Sequence, residues 1–468
     1  MTPQRPSIHE TKEVKRIELI IVPGKSLGPF RLGLSLWDTI QFLRDKVFFF
    51  PKVDLKYDEK EPLRYPVILT LPMNGIHLWF DASLQRLKCI ECFDPSKVKL
   101  VYQNGDVSSS RTIPTFLSIY KSFGPTYPGD FDEPQCTYTL SYPGVSFAFP
   151  IPTKYHDIYK QSNDLPLEFP DGTTPIASKL YVFPSQSPNW VSAALPNISK
   201  LLTEIGDGLK YGKWGRRDVE KVVAKVSQGI ELHFPSHEGK DEGQHQVDIL
   251  LGCTTVQEIL SDLGRPSRLF YKEEDKMKIH SVDEPSNKSG SSDLNDEDER
   301  DIGQRDEATD YFLNYFHLGL DFLIDGSRHV CVKIVLHGNI PGHFDFQRYK
   351  RCPYQIILPT KKKNGKKDLP KDMLVDVTSD PKDDQVPNNI ITNTMKITTM
   401  QQRIPWTTGN QITTKPTDQT QIEQHKPVIL TRGSNEQNPF GSTYLTGYSQ
   451  GIVMEVMKNG DVPSIVLF

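Results

Sequence analysis

Three groups of residues in this 468-residue chain have types and spacing suited to metal, phosphate or acid–base chemistry. Cys89 and Cys92 form a CxxC pair, which is half of a zinc site or a redox dithiol. Gly24-Lys25-Ser26 matches the end of a phosphate-cradling P-loop. His280, His337 and His343 come nearest to a cluster of imidazoles. None of the three completes its pattern. No second pair joins the CxxC, since Cys136, Cys253, Cys331 and Cys352 stand singly. Three positions apart on a strand, Cys89 and Cys92 face opposite sides, as buried thiols do. A P-loop needs a glycine five positions before its second one, and Leu19 stands there, so Gly24-Lys25-Ser26 reads as a turn between strands. The histidines are widely spread, with Gly and Pro between the last two, and read as polar turn and surface residues. Nucleophile elbow, HExxH pair, kinase triplet and dinucleotide-binding glycine fingerprint are all missing. The expectation is a protein that is not an enzyme, with no catalytic, cofactor-binding or metal-ligating residues.

Binding is the better prospect. One mixed-charge segment led by aromatics runs from Phe270-Tyr271 to Ile279-His280, and a second interleaves cations with rings. In that second segment Phe344, Phe346, Arg348, Tyr349, Lys350 and Arg351 are the candidate partner- or lipid-binding residues. Such a patch suits an acidic peptide or a lipid headgroup, and the lysines from Lys361 to Lys371 extend it. The plainer alternative for each segment is a strand or loop with a solvated charged face. Trp79, Tyr311, Phe312, Tyr315, Phe344, Phe346 and Tyr349 are further candidates for exposed aromatics, against the alternative of core filling. A net charge of −4 lacks the basic footprint of a nucleic-acid binder. Six cysteines are too few for a disulfide framework. The polar first eighteen residues have no apolar stretch of a signal peptide, and no run approaches a membrane span, so a soluble, cytoplasmic protein is expected.

The elements that position these residues follow from one hairpin design used more than once. Asn74-Gly75-Ile76-His77-Leu78-Trp79-Phe80-Asp81 is echoed by Leu318-Gly319-Leu320-Asp321-Phe322-Leu323-Ile324-Asp325: Gly, apolar, polar, three apolars, Asp. A polar turn follows each, and an apolar run restarts at Leu87 and at Val330. Looser versions begin at Gly144 and Gly229. Asn74-Gly75 suits a type I′ turn, in which both central residues take positive φ. Amphipathic helices are expected from Ser35 to about Lys46, over Ile113–Phe123 before Gly124-Pro125, and over Thr255–Leu263 before Gly264. Thr255 with Glu258 forms a capping box.

The expected fold class is α+β, with tandem repeated units of one helix and antiparallel strands, interrupted by two disordered inserts. A flexible tail covers 1–15, and two helix-plus-sheet units cover 16–150. The middle region 151–245 has weak periodicity, with a strand at Leu180–Phe183 and a short helix near Ser199–Glu204. A third unit spans 246–358 around the acidic insert 281–308, which holds ten acidic and three basic side chains. A Lys- then Thr/Asn/Gln-rich disordered linker follows at 359–425, and a C-terminal β unit at 426–468. The last unit's helix is read as eroded or displaced, with Thr and Gln in its place.

Several long strings resemble the phagosome assembly factor one family. They are Ile17–Gly28, Asn74–Tyr102, Phe270–Ser281, Asp310–Cys352 and Asn438–Thr443. The resemblance spans the chain apart from the inserts and is weakest over 152–245. It implies a non-enzymatic autophagy factor that pairs with a WD-repeat β-propeller protein and associates with the phagophore assembly site. In that pairing the propeller reads phosphoinositide and this protein docks on it. Direct contact with an anionic membrane through the basic-aromatic patch is the alternative. The family defines no catalytic residues to carry over.

Overall fold

A computed structural model describes residues 16–159, 165–196, 202, 218–235, 245–272, 309–358, 386–404, 406–408, 411–413, 427–431, 441–448 and 451–468. The acidic insert 281–308, the lysines from Lys361 to Lys371 and nearly all of the helix expected at Ser199–Glu204 lie outside them. The chain divides into two compact units, Met1–Leu201 and Leu202–Phe468. Both are mostly sheet with few helices, a mixed α+β architecture.

Unit 1 opens with β1 (Glu18–Val22), β2 (Ser26–Leu27), β3 (Phe30–Arg31) and α1 (Leu36–Asp45). A meander follows: β4 (Asp54–Lys56), β5 (Val67–Leu71), β6 (Ile76–Phe80) and β7 (Leu87–Cys92). Next come β8 (Lys99–Tyr102), β9 (Gly105–Ser108) and α2 (Phe116–Phe123). A second meander has β10 (Asp130–Asp132), β11 (Thr137–Tyr142), β12 (Val145–Pro150), the short α3 (His156–Tyr159) and β13 (Lys179–Val182). These strands build a small sheet, β3-β2-β1-β8-β9, and a large one, β10-β11-β12-β13-β7-β6-β5-β4.

Unit 2 opens with β14 (Lys221–Lys225), β15 (Gly229–Phe234), β16 (His245–Leu250) and α4 (Val256–Leu263). Its first meander is β17 (Arg268–Tyr271), β18 (Tyr311–Tyr315), β19 (Leu320–Ile324) and β20 (Cys331–His337). β21 (Tyr354–Ile357), β22 (Ile390–Thr392) and α5 (Ile397–Arg403) come next, then the β23 (Trp406–Thr408) and β24 (Gln411–Thr413) hairpin. The chain closes with β25 (Val428–Leu430), β26 (Thr443–Tyr448), β27 (Ile452–Val456) and β28 (Ser464–Leu467). The sheets run β16-β15-β14-β21-β22 and β17-β18-β19-β20-β28-β27-β26-β25. Strand for strand, this is the order of unit 1. In each small sheet one parallel pair, β1 with β8 or β14 with β21, sits among antiparallel neighbours.

Local chemistry explains the shared hairpin. In β6 the residues Ile76, Leu78 and Phe80 are fully buried, and His77 and Trp79 point the other way. The same alternation sends Leu320, Phe322 and Ile324 into the core of unit 2. Burying each such side chain stabilises the fold by roughly 1.5–3 kcal/mol. Each closing aspartate then folds the next turn. Asp81 Oδ1 accepts from the Leu84 amide at 2.8 Å, and Asp325 Oδ1 accepts from the Ser327 and Arg328 amides at 2.9 and 2.8 Å. The turns entering β6 and β19 are four residues long, Pro72–Gly75 and Phe316–Gly319, because Leu71 pairs with Ile76 and Tyr315 with Leu320. This corrects the type I′ expectation. Only Gly75 and Gly319 take positive φ, +68° and +71°, and Asn74 does not. Proline at 72 presets φ for an ordinary turn closed by the Asn74 amide on the Leu71 carbonyl at 3.0 Å.

Four helices dock by one hydrogen bond. The first helical amide donates to a turn carbonyl: Leu36 to Gln85 at 2.8 Å, Phe116 to Pro175 at 2.9 Å, Val256 to His329 at 2.9 Å and Ile397 to Gly460 at 2.9 Å. Ser35, Thr115 and Thr255 cap the first three, and Thr255 and Glu258 complete the capping box. The fourth helix, α5, overturns part of the linker expectation for 359–425. Ile397, Met400 and Ile404 recur every three to four residues and are buried among Thr and Gln, so a short helix and β22 both form there. Three apolar positions in a polar stretch give too weak a periodic signal to stand out in the sequence.

Candidate functional site

The segment holding the basic-aromatic candidates lies across the outer face of the large sheet in unit 2, where β19 and β20 turn polar side chains outward. Asp321 on β19 is the hub. Its Oδ2 takes a hydrogen bond from Tyr349 Oη at 2.8 Å and pairs with His337 Nε2 at 2.9 Å. The Tyr349 and His337 rings stack with centroids 3.6 Å apart, and Phe316 meets Tyr349 edge-on at 5.0 Å. Burial raises the Tyr349 hydroxyl well above its ordinary pKa, and Asp321 beside it raises it further. A second buried carboxylate lies on β27. Glu455 is held by His343 Nε2 at 3.1 Å, Thr443 Oγ1 at 2.7 Å and Ser464 Oγ at 2.9 Å. The Asp345 amide donates to His343 Nδ1 at 3.3 Å, which leaves Nε2 to carry the proton.

These geometries revise several expectations. His337 and His343 are buried partners of carboxylates, not surface histidines. Lys350 is 7% exposed and pairs with Asp218 at 2.7 Å. Arg351 is also buried and donates to the carbonyls of Gly338 and Asn393, while Asn393 Nδ2 donates to the Cys352 carbonyl at 2.9 Å. Tyr349, Lys350 and Arg351 are therefore internal ties of unit 2. The physical reason is that buried polar groups need partners: Tyr349 covers Asp321 on the sheet face, Lys350 neutralises Asp218, and Arg351 satisfies two carbonyls. Of the six candidates, Phe344 and Arg348 are exposed and Phe346 is half-buried. Arg348 pairs with Asp345 at 3.1 Å and lies 5.9 Å from the Phe316 ring. Among the other aromatics Tyr315 is fully buried, while Trp79, Tyr311 and Phe312 are half-buried.

Unit 1 carries a comparable arrangement that sequence reasoning missed. Glu91 on β7 is 4% exposed and receives Lys179 Nζ at 3.1 Å, His77 Nδ1 at 2.9 Å, Trp79 Nε1 at 3.2 Å and Tyr181 Oη at 3.4 Å. Burial opposes ionisation of this carboxyl, but hydrogen bonds from His77 and Lys179 outweigh it and leave the pKa lowered. Trp190 stacks on Tyr181 at 4.2 Å and roofs the cluster. The signal was the lone acid in Leu87–Cys92, an otherwise apolar strand apart from Lys88. Cys89 and Cys92 are both buried, and burial pushes the Cys92 thiol up to about 12 and Cys89 higher still. Gly24-Lys25-Ser26 forms the β1–β2 turn, with Val22 paired to Ser26. Among the described residues, no group of three or more His, Cys, Asp or Glu is placed to hold a metal ion. Among the same residues, no helix is long and apolar enough to cross a membrane.

The surfaces left open are of another kind. Among the described residues, β17 is the outermost strand of its sheet, and it is exposed at all four positions. A cavity of about 820 Å³ lies between β17 and α4. Leu260, Leu269, Tyr271 and Tyr311 give it apolar walls, and Arg265, Arg268 and His329 add positive or titratable groups. At the opposite edge, β25 exposes Val428 and Ile429 at 64% and 73%.

Comparison with known proteins agrees with the resemblance in the strings above. The family model described as phagosome assembly factor 1 matches residues 26–468. A PHAF1 protein of Arabidopsis thaliana is 32% identical over 95% of this chain and 92% of its own length. One from Drosophila melanogaster is 30% identical over 97% and 94%, and one from Caenorhabditis elegans is 26% identical over 99% and 97%. No solved structure matches. With the match running through both units and end to end in its relatives, this chain belongs to the phagosome assembly factor 1 family.

Proposed function

We propose that this chain is a non-enzymatic autophagy factor, a cytoplasmic scaffold that pairs with a WD-repeat β-propeller protein and is recruited with it to the phagophore assembly site. The family description names an assembly factor, and that description supports the role. Four helices docked by the same amide-to-turn bond, three directly ahead of a four-strand meander and the fourth ahead of the β23–β24 hairpin and then β25–β28, support a scaffold of tandem helix-plus-meander units. The observation that carries the docking side is β17, an edge strand exposed at every residue beside a cavity with apolar walls and cationic groups. An unpaired edge offers main-chain hydrogen bonds to an incoming strand, and the cavity offers a place for its side chains.

The test is a pull-down of tagged full-length protein from its own cells, beside Leu269→Glu and Tyr271→Ala variants. Removing 344–371 would be a poor test, because it takes away Tyr349, Lys350 and Arg351, which hold unit 2 together. A propeller captured by the unaltered protein and lost from both variants is the expected result. Capture by all three moves the interface to another face. Capture by none removes the partner reading. An anionic or phosphoinositide membrane is the alternative contact, favoured at this segment by exposed Phe344 and Arg348 alone.

A further inference from the structure

The most exposed apolar run in unit 1 lies where α1 ends. Lys46-Val47-Phe48-Phe49-Phe50-Pro51-Lys52-Val53 carries two cations and no acid, with Asp45 before it and Asp54, 3.6 Å from Lys52 Nζ, after it. Val47 is 57% exposed, Phe48 87% and Phe49 47%. A loop that exposes three consecutive apolar residues by accident is usually slack, and this one is pinned. The Phe49 and Phe50 amides both donate to the Lys46 carbonyl, at 2.9 and 3.0 Å. Asn74 Nδ2 donates to the Phe49 carbonyl at 3.1 Å. Phe50 is buried against Phe30 and Phe42, with centroids 5.4 and 6.1 Å away. One phenylalanine thus anchors the turn, and its two neighbours are held outward. The Asn74 bond also brings the next turn alongside, where Met73 is 49% exposed and Lys97 Nζ reaches the Pro72 carbonyl at 2.9 Å.

We propose that this loop is a membrane-contact site, in which Val47, Phe48 and Phe49 enter the acyl boundary of an anionic bilayer while Lys46 and Lys52 meet its headgroups. The inference rests on the membrane alternative above and moves it from 344–351 to unit 1. Apolar residues on a turn flanked by lysines match the interface, where rings partition below the headgroups and ammonium groups stay at their level. A protein pocket would also take up a phenylalanine, but it does not require cations on both sides of the tip with no acid between them.

The experiment is co-sedimentation of the full chain with phosphatidylcholine vesicles, alone and with one-fifth phosphatidylserine. Phe48→Ser is expected to weaken binding to the anionic vesicles by about tenfold or more, since a ring leaves the acyl region. Lys46→Gln is expected to weaken it by about fivefold on anionic vesicles and to leave neutral vesicles unaffected. Melting temperatures of both variants should match that of the unaltered protein, because the substituted side chains are already in water. No sedimentation of the unaltered protein overturns both the inference and the membrane alternative. Equal sedimentation of Phe48→Ser, with loss on Phe344→Ser or Arg348→Gln, overturns the loop and leaves the alternative standing. Equal sedimentation of Phe48→Ser and Lys46→Gln with the unaltered protein, on both kinds of vesicle, overturns it as well.

Discussion

Replacing Lys350 with methionine separates a structural tie from a binding cation. Lys350 Nζ lies 2.7 Å from Asp218 Oδ2, and the two side chains are 9% and 17% exposed. Methionine keeps most of the stem's packing and removes the charge. Asp218 then keeps its charge near the protein interior without its ammonium partner. Breaking a fully buried pair costs about 3–5 kcal/mol, and the residual solvent access here brings the expected loss to about 2–3 kcal/mol. For a unit of this size that is a fall of about 4–10 °C in melting temperature. Calorimetry of the full chain, with urea unfolding followed by tryptophan fluorescence, reads it directly. Removing both charges, as Lys350→Met with Asp218→Leu, should recover more than half of the loss, because no stranded charge remains. If Lys350→Met melts like the unaltered protein while partner or vesicle binding falls, the ammonium works at a surface and the burial argument is refuted.

Two further outcomes follow from the same structure. Gly319→Ala would place a Cβ 2.2 Å from the Lys350 carbonyl at φ +71°, so a loss of at least about 3 kcal/mol is expected in chemical denaturation, and a loss under 1 kcal/mol would show that the turn adapts. His233 is buried with both ring nitrogens lacking hydrogen bonds, and burial, then Lys221, lowers its pKa against the opposing pull of Glu231, Asp248 and Glu220. The unfolded chain takes up that proton near the ordinary value of about 6.5 and the folded chain does not, so stability is full above about 6.5 and falls as pH drops towards the folded pKa. The slope is at most about 1.4 kcal/mol per pH unit for one proton, and His233→Leu should flatten the melting curve between about pH 7 and 5.5. Identical slopes in the two proteins would exclude His233 as the titrating group.

What the sequence determined by itself is the part of this protein set by near neighbours along the chain. The hairpins around Gly75 and Gly319 are legible because alternation, a positive-φ glycine and a turn-closing aspartate all act within about ten residues. The helix at Val256–Leu263 is legible for the same reason, since Thr255 and Glu258 cap it three positions apart. The long matching strings likewise placed the family, and the family model agreed. Tertiary structure alone decided which charged and aromatic residues meet water. Lys350 and Phe48 invite opposite guesses in the sequence, a lysine outside and a phenylalanine inside, and the fold reverses both. Lys350 is drawn in because Asp218, far upstream and just before β14, pairs with its ammonium, while Tyr349 beside it covers Asp321 and His337 on the outer face of β19 and β20. Phe48 is held out because the turn pinned on the Lys46 carbonyl puts Phe50 beside Phe30 and Phe42 and leaves Phe48 to solvent. Burial is a property of what lies across a residue, and the covering chain comes from far away in sequence.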